Sequence, residues 1–210
     1  MIEVESVSLT LQKTEILKNV SARFGRGKIH GLIGRNGSGK TMLMKCICGF
    51  VKPTSGEITV DGKRIGHDRD FPENVGIIIE TPGFIPYYSG LKNLKLLADL
   101  RGKISKKDIR GTMERVGLDP DLKRHVQKYS LGMRQRLGLA QAIMEDPELL
   151  ILDEPMNGLD KDGVKDMRQY LLDLKAHGKT ILIASHSAED IDVLCDTVCE
   201  MDKGILSKVR

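Results

Sequence analysis

Gly34-Arg35-Asn36-Gly37-Ser38-Gly39-Lys40-Thr41 constrains this chain more than any other stretch. It follows a short apolar run at residues 29–33 and precedes a helical pattern at residues 42–47. An apolar run, a glycine-rich turn and a helix in that order form a strand–loop–helix unit. Gly34, Gly37 and Gly39 admit backbone conformations and close approaches that a Cβ forbids. Amide hydrogens of such a loop converge on an anion, and the helix N-terminus adds its positive dipole. The octapeptide fits G-x-x-x-x-G-K-[ST], the pattern of a phosphate-binding loop. On that reading Asn36, Gly37, Ser38, Gly39, Lys40 and Thr41 surround a triphosphate. Lys40 reaches the β- and γ-phosphates, and Thr41 Oγ holds Mg²⁺. An ordinary glycine-rich turn before a helix is the competing reading of the octapeptide alone.

The rest of the chain alternates strand and helix patterns around this unit. Residues 2–9 and 16–24 alternate apolar and polar, and Glu57 to Val60 followed by Asp61-Gly62 reads as a hairpin. Residues 75–79 are wholly apolar, as a buried strand requires. Leu91, Leu94, Leu97 and Leu100 recur every three residues, a helical stripe. Ser105 with Asp108 caps a second helix over 105–116, and 131–145 reads as a third. Strands are expected at 149–152, 180–184, 197–201 and 205–209, with helices at 163–176 and 189–194. Such alternation predicts an α/β fold with a mostly parallel sheet covered on both faces. The expected architecture is a P-loop NTPase core with an N-terminal antiparallel β subdomain and a helical insertion at about residues 82–145. All of residues 1–210 then form one domain.

Bulk properties narrow the partners. A formal charge of +4 is mild, and the basic residues are spread rather than gathered in a stripe, so no nucleic acid is expected. No stretch approaches the ~18 apolar residues of a membrane span. The N-terminus is acidic and alternating, unlike a signal peptide. A cytoplasmic location is expected, with any membrane role exercised through a partner. Cys46, Cys48, Cys195 and Cys199 match no common zinc spacing and read as small buried residues.

A second constellation lies downstream. Leu149-Leu150-Ile151-Leu152-Asp153-Glu154 is an apolar strand ending in two carboxylates. Beside a phosphate loop, Asp153 is placed to hold Mg²⁺ and Glu154 to deprotonate an attacking water. Ser130-Leu131-Gly132-Met133-Arg134-Gln135-Arg136 precedes this strand, and Asn157-Gly158-Leu159-Asp160 follows it. Ser185-His186 ends the next strand, and Glu80 ends the strand before the helical block. With these pieces in order, the chain resembles the nucleotide-binding subunit of an ABC transporter over nearly its whole length.

That resemblance implies ATP and Mg²⁺ as cofactors and a head-to-tail homodimer formed on ATP binding. It implies that Ser130 and Gly132 cap the γ-phosphate held by the partner's phosphate loop. A plain helix N-cap is the competing reading for Ser130. His186 resembles the switch histidine that contacts the γ-phosphate, and Asp160 the acid that links the two sites across the dimer; an N-cap for a helix starting near Lys161 is the other reading of Asp160, compatible with the first. Glu80 stands where a glutamine is usual, near catalysis and metal. Its extra negative charge predicts stronger Mg²⁺ coupling and slower or differently gated hydrolysis. Leu131 and Met133 replace a glycine and a glutamine of the usual signature. The aromatic residue that stacks on adenine falls near Leu11, where none exists, so Leu11 or Lys13 is expected to pack against the base.

Glu80 with its following residues and the 131–136 segment resemble the subfamily that exports bacitracin and lantibiotic-type peptides. The chain closes soon after Ser185-His186, and no C-terminal regulatory domain is expected. The functional expectation is an ATPase motor subunit bound to a separate integral membrane subunit at the inner face of the cell membrane. Residues 84–88 are the candidate contact, with core packing of the helical block as the competing reading. A non-transport ABC ATPase acting on nucleic acid or ribosomes is the alternative; a slow-turnover regulator is disfavoured by Glu154.

Overall fold

The computed structural model describes residues 1–81 and 83–210. Two sheets face each other across one of two cores. Strands β1 (Ile2–Leu11), β2 (Thr14–Phe24), β4 (Ser55–Val60) and β5 (Lys63–Arg64) form an antiparallel sheet in the order β2-β1-β4-β5. Strands β3 (Ile29–Ile33), β6 (Val75–Ile78), β7 (Leu149–Asp153), β8 (Thr180–Ala184), β9 (Thr197–Asp202) and β10 (Ile205–Lys208) form the second. Its order is β10-β9-β3-β8-β7-β6, parallel throughout except for β10. The fold is α/β with an antiparallel N-terminal sheet.

Period-two side-chain alternation explains the continuous apolar runs. Leu150, Leu152, Ile181 and Ile183 point to one core, and Leu149, Ile151, Leu182 and Ala184 to the other. A strand covered on both faces has no polar position to offer. Each such Leu or Ile contributes about 1.5–3 kcal/mol by leaving water. The first core is shared with α2 (Gly90–Arg101), α3 (Lys106–Arg115), α4 (Leu131–Ile143) and α5 (Lys161–Ala176). The second is shared with the antiparallel sheet and α1 (Lys40–Ile47). Helix α6 (Ala188–Leu194) completes the cover.

Local chemistry sets the ends. Ser105 and Asp108 form a capping box on α3. The Asp61-Gly62 turn joins β4 to β5, pairing Val60 with Lys63. The β1–β2 turn is less expected: Gln12 and Lys13 both hold positive φ, 47° and 68°, with no glycine or asparagine. Helix α1 starts at Lys40, two residues before the apolar pattern begins, because Gly39 at φ 117° ends the loop there.

Parallel pairing also fixes the site. The carboxyl ends of β3, β6, β7 and β8 lie along one sheet edge, the usual ligand edge of such sheets. Leu32 and Asp153 both stand level with Ala184.

Candidate functional site

At that edge the loop after β3 curls around Lys40. The ammonium donates to the carbonyls of Gly34 (2.7 Å) and Arg35 (3.1 Å). Gly34 has φ 142°, and a Cβ there would strike the Met201 carbonyl and sit 2.9 Å from Ser38 Oγ. Only glycine fits both demands. The turn between β9 and β10 braces the loop from behind, through Gly204 N–H to the Ser38 carbonyl at 2.9 Å. Thr41 Oγ1, in the first turn of α1, donates to Asp153 Oδ2 at 2.7 Å. A cavity of about 410 Å³ opens here, bounded by the loop, Thr41, Asp153, Glu154 and Ile16.

Asp153 and Glu154 are adjacent in sequence but serve different neighbours. Asp153 turns to Thr41. Glu154, at φ 51°, turns to His186, with Oε2 2.8 Å from Nδ1. A carboxylate only accepts, so in this contact Nδ1 carries the proton. The backbone of Glu154 is held on both sides. Its N–H donates to the Ala184 carbonyl (2.9 Å), and its carbonyl accepts from Gln135 Nε2 (3.2 Å).

The remaining candidates lie elsewhere. Glu80 follows β6 at φ 59°, and its carboxylate meets Lys45 of α1 at 2.6 Å. It does not line the phosphate-loop cavity, nor does Leu11, which ends β1 exposed to solvent. Ile16 is the antiparallel-sheet residue that reaches this cavity. Ser130 caps α4, accepting the Met133 N–H at 3.1 Å, and Asp160 caps α5, accepting the Gly163 N–H at 3.1 Å. Gly132 packs so closely on the chain after β7 that a Cβ would lie 2.6 Å from the Gly158 carbonyl. Neither Ser130 nor Gly132 lines the cavity of its own chain.

Ile16 and Lys45 escaped the sequence reading, and Gln135 and Arg136, quoted within the 130–136 segment, received no role there. Gln135 carried a usable signal. It stands on the apolar stripe of α4 with Leu139 and Ala142, where a lone polar side chain demands a partner. Arg136 is gripped between Gly117 and Gly163. It donates to the Val116 carbonyl (2.7 Å) and approaches Asp160 (3.8 Å), which ties α3, α4 and α5 together. Burial pushes the Cys46 thiol up to about 11 and Cys48 to about 12, while Cys199, expected to be buried, is only half-buried on β9.

The Thr41 hydroxyl and Asp153 carboxylate are hard oxygen donors already in contact, the donor set Mg²⁺ prefers. Among the described residues no group of three or more His, Cys, Asp or Glu gathers to hold a metal. A cation here would take its other oxygens from phosphate and water, as Mg²⁺ commonly does.

Comparison with known proteins decides the family. The ABC transporter family profile matches residues 17–157. The chain belongs to that family. A relative described as an uncharacterized ABC transporter ATP-binding protein, YybJ of Bacillus subtilis (strain 168), is 46% identical over 206 residues, 98% of this chain and 94% of its own. The bacitracin transport ATP-binding protein BcrA of Enterococcus faecalis is 41% identical over 208 residues, 98% of this chain and 68% of its own. The dimeric structure of the ABC transporter cassette MJ0796 superposes with a TM-score of 0.89 at 24% identity, covering 100% of this chain and 99% of that one. An ATP-binding subunit of an ABC transporter superposes at 0.88 with 26% identity, covering 100% and 89%. The ABC protein described here is therefore an ATP-binding subunit of the ATPase class. Among its described residues no helix is long and apolar enough to cross a membrane.

Proposed function

We propose that this ABC subunit is the Mg²⁺-dependent, ATP-hydrolysing motor of an export complex that protects the cell from antimicrobial peptides. Support for the cargo class comes from relatives. BcrA is named for bacitracin transport, and the lantibiotic transport ATP-binding protein SrtF of Streptococcus pyogenes is 38% identical over 94% of this chain and 85% of its own. The observation that carries the motor reading is the divided pair at the end of β7, with Asp153 on Thr41 and Glu154 on His186.

Each residue has a role in that reading. Thr41 and Asp153 would hold Mg²⁺, which supplies positive charge at the phosphates. Lys40 leaves the Gly34 and Arg35 carbonyls for the β- and γ-phosphates. Glu154 accepts the proton of the water that attacks the γ-phosphorus as the bond to the ADP oxygen breaks. His186 holds the Glu154 carboxylate in place through Nδ1 and turns its other face to the γ-phosphate. Ser130 and Gly132 of a second copy close the site from the far side, with Asp160 at the seam. Residues 1–210 act as one ATPase domain with a helical subdomain over about 82–145. A separate integral membrane subunit docks near Ile85 and Tyr87, which are exposed on a segment pinned by Asn93 to the Ile85 backbone at 2.8 and 3.1 Å.

Glu154→Gln tests this directly. The variant should lose hydrolysis by about 10²–10⁴-fold, the usual worth of a general base. It should elute as a dimer in ATP and a monomer without it. Unchanged turnover, or a monomer in saturating ATP, would overturn the reading.

A further inference from the structure

Behind His186 lies a buried polar cluster that hydrolysis, as described so far, does not use. Ser185, the residue before the histidine, is 2% exposed. Its hydroxyl donates to Asp190 Oδ2 at 3.0 Å and accepts the Ser187 N–H at 3.1 Å. Ser187, the residue after the histidine, accepts the Asp190 N–H on its own hydroxyl at 3.3 Å. The two neighbours of His186 are thus bonded to one aspartate and to each other. The other oxygen of Asp190 takes both Nε (2.8 Å) and Nη2 (2.5 Å) of Arg168, while Arg168 Nη1 reaches Glu189 at 2.7 Å. The bonds to Glu189 and Asp190 hold the guanidinium firmly protonated.

Stability alone does not explain such a cluster. A buried ion pair loses in desolvation much of what it gains in attraction, and apolar residues of equal volume often do as well. What the cluster provides is placement. The Asp190 side chain is 4% exposed and the Arg168 side chain 15%, so neither can swing without leaving a buried charge unpaired. Arg168 also stands on α5, whose N-cap is Asp160. Eight residues of helix, about 12 Å, separate them. One rigid helix therefore carries Asp160 at its end and grips the His186 loop along its side.

We propose that Arg168 and Asp190 are positioning residues for ATP hydrolysis, holding His186 on Glu154 through Ser185 and Ser187 and tying that contact to Asp160 through α5. This rests on the reading that Glu154 and His186 act at the γ-phosphate. Asp190→Asn removes the charge that pairs with Arg168 and leaves Ser185 bonded only if its hydroxyl turns to accept from the new amide. Arg168→Met keeps the length of the side chain and removes the pair.

The test is steady-state ATPase kinetics on the full chain with Arg168→Met, Asp190→Asn and His186→Ala, alone and combined. Both positioning variants should lower kcat about tenfold with KM for ATP within about twofold, and should slow His186→Ala no further. Ser185→Ala should share the defect and Ser185→Thr, which keeps the hydroxyl, should restore the rate. That pair decides the matter should the charge variants fail to fold. Wild-type kcat in Arg168→Met and Asp190→Asn beside a slow His186→Ala sinks this inference alone. So does an equal further loss in the His186→Ala background, or a Ser185→Ala enzyme of normal rate. A normal rate in His186→Ala sinks the underlying reading, and this inference with it.

Discussion

The cradle around Lys40 and the lip at Ser130 are built on opposite plans. In the cradle, functional side chains are bonded to one another: Thr41 to Asp153, and Glu154 to His186. At the lip, Ser130 bonds only within its own helix as an N-cap, and Leu131 beside it is 55% exposed. One chain therefore bonds its cradle side chains to one another, while the lip packs on residues after β7 and does not line that chain's own cavity. A helix N-terminus with a free serine lone pair and open amides remains a good anion seat. On the function proposed above, a site divided in this way works when two copies meet.

Removing the cradle's cation is the most severe way to probe that division. Lys40→Ala should weaken ATP binding by about 1.5–3 kcal/mol, roughly tenfold or more, as expected for a hydrogen bond to a charged group. Equilibrium binding of a fluorescent ATP analogue reads it, and an unchanged affinity would break the assignment of the cradle. Ser130→Ala probes the other side. It should leave ATP affinity of the monomer intact and cost about 1 kcal/mol of stability through the lost cap. In the Glu154→Gln background it should also weaken the ATP-held dimer. A melting loss with an undiminished dimer would reduce Ser130 to a cap.

Glu80→Gln sharpens the comparison at the cradle's margin. Glu80 is 63% exposed and paired with Lys45, so stability should move by less than about 1 kcal/mol, the range of surface ion pairs. The expected change is in the Mg²⁺ dependence of turnover, read by titrating Mg²⁺ at fixed ATP. Identical curves would leave Glu80 as a partner of Lys45 and nothing more.

The smallest effect concerns His30, buried beside Phe24 and bonded to the Thr197 hydroxyl (2.7 Å) and the Gly25 carbonyl (2.8 Å). Burial holds it below its ordinary value of 6.5. The unfolded chain then binds the extra proton more readily, so this contribution is whole above pH 6.5 and fades as pH falls below it. Urea unfolding at pH 7.5 and 5.5 should show the loss, and His30→Gln should lessen it.

Much of the cradle was legible in the sequence because its constraints are local. A φ of 142° at Gly34 needs a specific residue type at a fixed offset, as does the Ser105 capping box in the helical block. The parallel strands were equally plain, since burial on both faces leaves a run such as residues 149–152 without a polar interruption. Boundaries slipped where a loop, not the apolar pattern, sets the end: α1 begins at Lys40 because Gly39 closes the loop there, whereas the Asp160 cap placed the start of α5. The Gln12-Lys13 turn left no signature, because neighbouring strands impose a conformation those residues do not favour. Contacts between distant segments were hidden for a different reason. Nothing in α5 announces that Arg168 meets Asp190, since that pairing exists only once α5 and α6 share a sheet face. Pro82, within the segment expected to follow Glu80, lies outside the described residues.

Lys40 closes on the carbonyls of Gly34 and Arg35, so one ammonium ties the loop to its own helix. On the proposed function, a triphosphate held by this loop would take over that ammonium from the two carbonyls. Entry should carry little entropic penalty, and departure of the spent nucleotide should leave the protein ready for the next without refolding.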